Sequence, residues 1–183
     1  MPCSPDDLDS TRIPQHIAAV MDGNGRLAEL EGLPRTEGHT AGEQSLMDVL
    51  EGADELGVKW FTVFAFSTEN WRRPPEEVRF LLNFNEQILL ERQDELNERN
   101  VRIRFVGRRE RRVPKRLLKR MDEAEILTRK NTGLTFTIAF NYGGRAELVD
   151  AMRRIADAEI PASRITEKTI SRYLYDPSMP DPD

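Results

Sequence analysis

Four short runs rich in apolar, β-branched and aromatic residues recur along this chain, and stretches with helical spacing separate them. The runs are His16 to Met21, Trp60 to Phe66, Val101 to Val106 and Leu134 to Phe140. Between and after them, apolar residues return every three or four positions over 41–56, 76–98, 114–129, 144–158 and 166–174, the mark of helices with one buried face. Prolines open the second and third helical stretches, and Gly57 closes the first, as helix starts and stops require. A strand–helix alternation of this kind predicts an α/β fold: a central, mainly parallel β-sheet flanked by helices. Ligands of such sheets bind beyond the carboxyl ends of the strands.

Three of the four runs end in polar clusters, which that topology gathers at one edge. The first is Asp22-Gly23-Asn24-Gly25-Arg26, with Arg35 and His39 soon after. Glycines let a backbone approach an anion and offer it N–H groups. A guanidinium grips phosphate with two parallel hydrogen bonds, and one carboxylate suits Mg²⁺ shared with phosphate oxygens. An ordinary tight turn would use the same glycines, so the cluster gains meaning from Arg26, Arg35 and His39 together. The second is Ser67-Thr68-Glu69-Asn70-Trp71-Arg72-Arg73-Pro74, polar groups between aromatic walls, readable as a ligand loop or as a helix-capping loop. The third is Asn141-Tyr142-Gly143-Gly144-Arg145.

The 76–98 stretch should form a helix roughly 34 Å long. Its apolar residues cover an arc of about 160°, wider than one sheet face needs. The surplus lines an apolar cavity, packs on another helix, or meets a second subunit. A cavity there would give the anion grips at the sheet edge an apolar body to hold.

Composition removes other classes. With 38% hydrophobic residues in 183, general disorder is not expected. No apolar stretch reaches membrane-spanning length, and the polar, acidic start lacks secretory-signal features. Cys3 is the one cysteine, which excludes disulfide scaffolds and Cys-based zinc sites. His16 sits in a strand-like run and reads as a packed residue. Neither a phosphate-loop nor a dinucleotide-binding glycine pattern occurs. Ten basic residues and one acid, Glu110, fall between Arg102 and Arg120. Without interleaved aromatic side chains they are expected to be a solvated face balancing acidic helices, so no nucleic-acid partner is expected. Residues 1–13 are expected to be a flexible leader and 14–183 one domain.

Several stretches together resemble the cis-prenyltransferases of the bacterial undecaprenyl diphosphate synthase (isoprenyl transferase) type: His16 to Arg26, Gly32-Leu33-Pro34-Arg35 with Gly38-His39, Ala65 to Pro74, and Asn141 to Arg145. The resemblance implies an apolar tunnel between sheet and helices. It implies Asp22 as catalytic carboxylate and Mg²⁺ ligand, with Gly23, Asn24, Gly25, Arg26, Arg35 and His39 on the allylic diphosphate. Ser67, Thr68, Glu69, Trp71 and Arg73 would be substrate contacts, and Asn70 a helper in proton loss. Leu27 stands in the allylic pocket where the family usually has Trp. The implied reaction joins isopentenyl diphosphate to an allylic diphosphate with Z geometry, undecaprenyl diphosphate for cell-wall carrier lipid being the expected product. A shorter-chain Z-prenyl synthase and a non-catalytic prenyl diphosphate-binding subunit are the alternatives. A cytoplasmic homodimer, touching the inner membrane face peripherally, is also implied. The family's Arg-x-Ser-Gly-Glu type motif does not occur. The isopentenyl diphosphate grip and a second metal carboxylate are therefore not expected among these residues, and the domain is expected to lack its C-terminal segment.

Overall fold

The computed structural model describes residues 8–183; the first seven positions of the expected leader, Cys3 included, lie outside the described residues. Residues Ser10–Arg12 make a single 3₁₀ turn whose start is capped by the Asp9 carboxylate. Ile13 then packs against the core.

All four expected strands form: β1 (His16–Val20), β2 (Trp60–Ser67), β3 (Arg102–Val106) and β4 (Thr135–Tyr142). They make one parallel sheet in the order β1-β2-β4-β3. Among the described residues six α-helices accompany them: α1 (Asn24–Leu30), α2 (Arg35–Glu55), α3 (Pro75–Glu98), α4 (Lys115–Thr128), α5 (Gly144–Asp157) and α6 (Glu167–Tyr173). Register places Ile17, Phe61, Phe136 and Ile103 in one row across the sheet. That face is apolar and meets residues of α2, α3 and α4 in the core. The next row, Ala18, Thr62, Thr137 and Arg104, points to the other face. Here His16 is buried as a packed residue, its ring nitrogens 2.7 Å from Thr62 Oγ1 and from the Pro180 carbonyl. Arg104 meets the buried Asp176 carboxylate at 2.7 Å.

Three local features depart from simple periodicity. Asn24 and Gly25, turn formers in the Asp22-to-Gly25 cluster, open a helix that runs Asn24–Leu30, and α2 begins at Arg35 rather than near residue 41. In β2, Phe64 faces Ala139 and Phe66 faces Phe140, so Ala65 is an extra residue and the strand bulges. Bulges re-aim side chains. This one turns Phe66 fully into the core and sets Ser67 at the strand's end. At α6, Thr166 caps the helix, and the reciprocal partner is the Thr169 hydroxyl.

The basic run behaves as a balanced surface. Seven of its ten cations are in ion pairs: Arg104, Arg108, Arg109, Arg112, Arg116, Lys119 and Arg120. Arg108 holds Asp150 through two nitrogens, and that contact lowers the Asp150 pKa to about 2.

Candidate active site at the carboxyl edge of the sheet

Gly23 starts α1 with φ +92°, a left-handed conformation that a side chain would strain. It turns the chain sharply out of β1. α1 then crosses α2 at very close range. A Cβ on Gly38 would sit 2.1 Å from the Asn24 carbonyl oxygen, and one on Gly42 would sit 2.2 Å from Asn24 Nδ2. Gly38 thus admits the backbone of the first cluster and Gly42 the Asn24 side chain. The crossing brings Arg35 to Gly25, whose Cβ position lies 3.2 Å from the guanidinium carbon.

Behind this corner lies a cavity of about 500 Å³. Its mouth collects Asp22, Gly23, Asn24, Gly25, Arg26, Arg35 and His39 from the first cluster and its continuation. From the second it takes Ser67, Glu69, Asn70 and Arg73. Its body is walled by Val63, Phe136, Ile138 and Phe140 from the sheet and by Leu81, Phe84, Ile88 and Leu89 from α3. The surplus apolar arc of α3 is therefore divided between core and cavity.

Three expected contacts stand apart from this lining. Leu27 is an exposed side chain on α1. Thr68 donates its backbone N–H to the Tyr142 carbonyl at 2.8 Å. Trp71 packs edge-on against Phe66, centroids 5.0 Å apart, and donates its Nε1–H to Asn141 Oδ1 at 2.8 Å. The third polar cluster thus supports the second from behind instead of lining the mouth. Asn141, fully buried, also donates to the Arg108 carbonyl.

The loop after β2 is internally tied. Asn70 Oδ1 accepts from Ser67 N–H at 2.8 Å, and Ser67 Oγ accepts from the N–H groups of Glu69 and Asn70. An amide oxygen so occupied, on a weakly basic group, is a poor proton acceptor; its amide N–H₂ remains a donor.

Carboxylates hold each mouth arginine. Arg26 meets Asp22 at 3.1 Å, Arg35 meets Glu29 at 2.8 Å, and Arg73 meets Glu77 at 2.7 Å. Arg35 Nε lies 3.7 Å from Glu77, too far for a hydrogen bond, and is left without a partner among the described residues. Glu77 is a site residue that cluster reasoning missed, although its i,i+4 spacing from Arg73 was the available signal. These pairs are partly or largely exposed, so each contributes little stability and an incoming anion can replace the carboxylates.

His39 stacks obliquely on Phe80 at 5.9 Å, and its Nε2 is buried without a partner among the described residues. Burial, with Arg73 and Arg35 nearby, lowers its pKa below the usual imidazole value, against the opposing pull of Glu77. The folded state therefore takes up a proton less readily than the unfolded chain, so this group favours folding above its ordinary pKa and disfavours it as pH falls below. We predict that urea unfolding between pH about 7.5 and about 5.5 shows a smaller acid-side loss for His39→Gln than for the wild type. Identical losses would contradict the assignment.

A mouth of guanidinium and peptide N–H donors over an apolar hole defines a fold suited to an amphiphile with an anionic head. Residues 20–183 match the protein family described as "Putative undecaprenyl diphosphate synthase". The chain is 53% identical over 183 residues to a trans,polycis-polyprenyl diphosphate synthase specific for (2Z,6E)-farnesyl diphosphate from Thermobifida fusca, covering 98% of this chain and 64% of the relative. It is 49% identical over 177 residues to decaprenyl diphosphate synthase of Mycobacterium tuberculosis, covering 94% and 59%. The fold matches the crystal structure of lavandulyl diphosphate synthase from Lavandula x intermedia in complex with dimethylallyl diphosphate. That match has TM-score 0.88 and 30% identity, over 93% of this chain and 75% of that one. The chain belongs to the undecaprenyl diphosphate synthase family of cis-prenyltransferases, and spans less than two thirds of the two relatives named.

Proposed function

We propose that this chain carries the allylic diphosphate site of an isoprenyl transferase that joins isopentenyl diphosphate to an allylic diphosphate, giving a Z-polyprenyl diphosphate. The supporting observation is the cavity: anion donors and one carboxylate at the mouth, and an apolar body large enough for a prenyl chain. In that reaction the allylic C–O bond breaks and diphosphate departs. A carbon–carbon bond forms to the isopentenyl double bond, and one proton is lost to restore an alkene.

Arg26, Arg35 and Arg73 would hold the departing diphosphate, and the free nitrogens Arg35 Nε and His39 Nε2 would complete the grip. Asn70 would donate its amide N–H to a phosphate oxygen and position the proton's route, without itself being the base. Asp22 accepts from Gly23 N–H at 2.7 Å and from Arg26. These bonds engage one oxygen each, but the side chain is 76% exposed, so each oxygen keeps a lone pair open to a cation. No group of three or more metal-ligating side chains occurs among the described residues. This donor set fits Mg²⁺ shared between one carboxylate and substrate phosphates; when bound, the ion would stabilise charge on the diphosphate.

No helix among the described residues is long and apolar enough to cross a membrane, which suits a cytoplasmic enzyme whose product partitions into lipid. Exposed Leu148, Val149 and Met152 on α5 suit the expected homodimer.

Arg26→Ala is expected to weaken farnesyl diphosphate binding by about tenfold or more, since a charge-assisted pair is lost. Isothermal titration calorimetry measures it, and unchanged affinity would remove Arg26 from the site.

A further inference from the structure

The strand order β1-β2-β4-β3 places the end of β4 between the loops that follow β2 and β3. Both loops close on it. From one side Thr68 N–H donates to the Tyr142 carbonyl at 2.8 Å, and from the other Arg108 N–H donates to the Asn141 carbonyl at 3.2 Å. Gly107 crosses β4 so closely that a Cβ there would overlap the Phe140 carbonyl oxygen.

Asn141 stands at this junction, and its side chain bonds to both loops. It is fully buried and has φ +50°, in the left-handed region that Asn tolerates better than most side chains. Its Nδ2 donates to the Arg108 carbonyl at 2.8 Å and to Glu110 Oε1 at 3.3 Å. Its Oδ1 accepts from Trp71 Nε1–H at 2.8 Å. Chemistry fixes the orientation of this amide. An indole N–H only donates, and a carbonyl and a carboxylate only accept, so a flipped amide would meet like groups on both sides.

Trp71 is held three ways: by Asn141, by the edge-on Phe66 ring with centroids 5.0 Å apart, and by the Arg112 guanidinium 5.8 Å over the indole. Arg112 comes from the loop after β3, so that loop reaches both the indole and the amide that holds it. Trp71 is also the middle residue of the 3₁₀ turn Asn70–Arg72. Arg73 N–H closes that turn on the Asn70 carbonyl at 3.1 Å. Asn70 and Arg73 line the mouth, and Trp71 between them does not. Surface loops are ordinarily mobile; the centre of this one is pinned to the sheet by a side chain that stands outside the cavity lining.

We propose that Asn141 is a positioning residue for the diphosphate grip: by holding the Trp71 indole it sets where Asn70 and Arg73 present their donors. The inference rests on the reading of the mouth as a diphosphate site. Removal of either partner leaves the other buried polar group unpaired, and the turn then has only Phe66 and Arg112 to keep the indole in place.

The test is calorimetric titration of farnesyl diphosphate, inorganic diphosphate and farnesol, without added metal, so that this chain's own donors hold the head. The proteins are the wild type, Asn141→Gly and Trp71→Phe. Glycine accepts the positive φ without strain, and Phe keeps an aromatic ring against Phe66 while deleting the indole N–H. Affinity for both diphosphates should fall at least about tenfold in Asn141→Gly and about threefold in Trp71→Phe, while farnesol affinity stays within about twofold of the wild type's. If Asn141→Gly does not fold, Trp71→Phe decides. An equal loss for farnesol would show general loosening and overturn the positioning role. Wild-type affinity for farnesyl diphosphate in the folded variants would overturn it too, and would leave the proposed site standing. Absence of saturable farnesyl diphosphate binding by the wild type would overturn both.

Discussion

In a protein that also carries the C-terminal segment expected to hold isopentenyl diphosphate, replacing Asp22 by Ala should abolish turnover, by about a thousandfold or more, while the protein stays folded. The two halves of that expectation have separate causes. The Asp22 side chain is largely exposed and touches only Gly23 N–H and the equally exposed Arg26, so the core does not depend on it. It is, however, a carboxylate in the mouth, standing where a cation shared with diphosphate would be held. Loss of the carboxylate also frees Arg26. Metal-free diphosphate affinity should therefore change little or rise slightly, while the gain in affinity on adding Mg²⁺ disappears. Incorporation of radiolabelled isopentenyl diphosphate measures turnover, and calorimetry with and without Mg²⁺ measures the metal's share. Near-normal turnover, or a Mg²⁺ effect equal to the wild type's, would remove Asp22 from the centre of the site.

The sheet was legible because each strand is short, apolar and closed by turn formers. Trp60 to Phe66 and Leu134 to Phe140 both became strands, extended by one and two residues at their ends. The mouth was legible where its residues follow a strand end directly, as Asp22 to Arg26 and Ser67, Glu69, Asn70 and Arg73 do. What local pattern could not give was structure decided by distant contacts. Asn24 and Gly25 are poor helix residues, so α1 reads as a turn until Gly38 and Gly42 are seen to receive it. The bulge at Ala65 depends on the register of β4. Trp71 reads as a ligand wall until buried Asn141, seventy positions on, is seen to accept its N–H. The Glu43–Arg92 pair likewise joins helices far apart in sequence, and no periodicity in either helix points to the other.

Gly38→Ala tests whether the α1–α2 crossing builds the anion mouth, and two effects of opposite sign compete in it. In an ordinary helix interior the change adds roughly 1 kcal/mol of stability, because Ala gives up less backbone freedom than Gly. Here the new Cβ would stand 2.1 Å from the Asn24 carbonyl oxygen and 3.1 Å from Gly25 N. Both obstacles are backbone, so no side chain can swing aside. Overpacking of this kind costs about 1–3 kcal/mol and should outweigh the propensity gain. The structure can escape the clash only by lifting α1 from α2, which moves Asn24, Gly25 and Arg26 together. The expected result is a lower Tm and a loss of farnesyl diphosphate affinity of about tenfold or more, because several donors are displaced at once. Gly52→Ala is the matched control. It lies in the same helix with nothing within 4 Å of its Cβ position, so it should raise stability by about 0.5–1 kcal/mol and leave affinity unchanged. Thermal melts and calorimetry on the two variants separate crossing from propensity. If Gly38→Ala stabilised as much as Gly52→Ala and bound farnesyl diphosphate normally, the mouth would not depend on this contact. The placement of the diphosphate grip on α1 would then have to be abandoned.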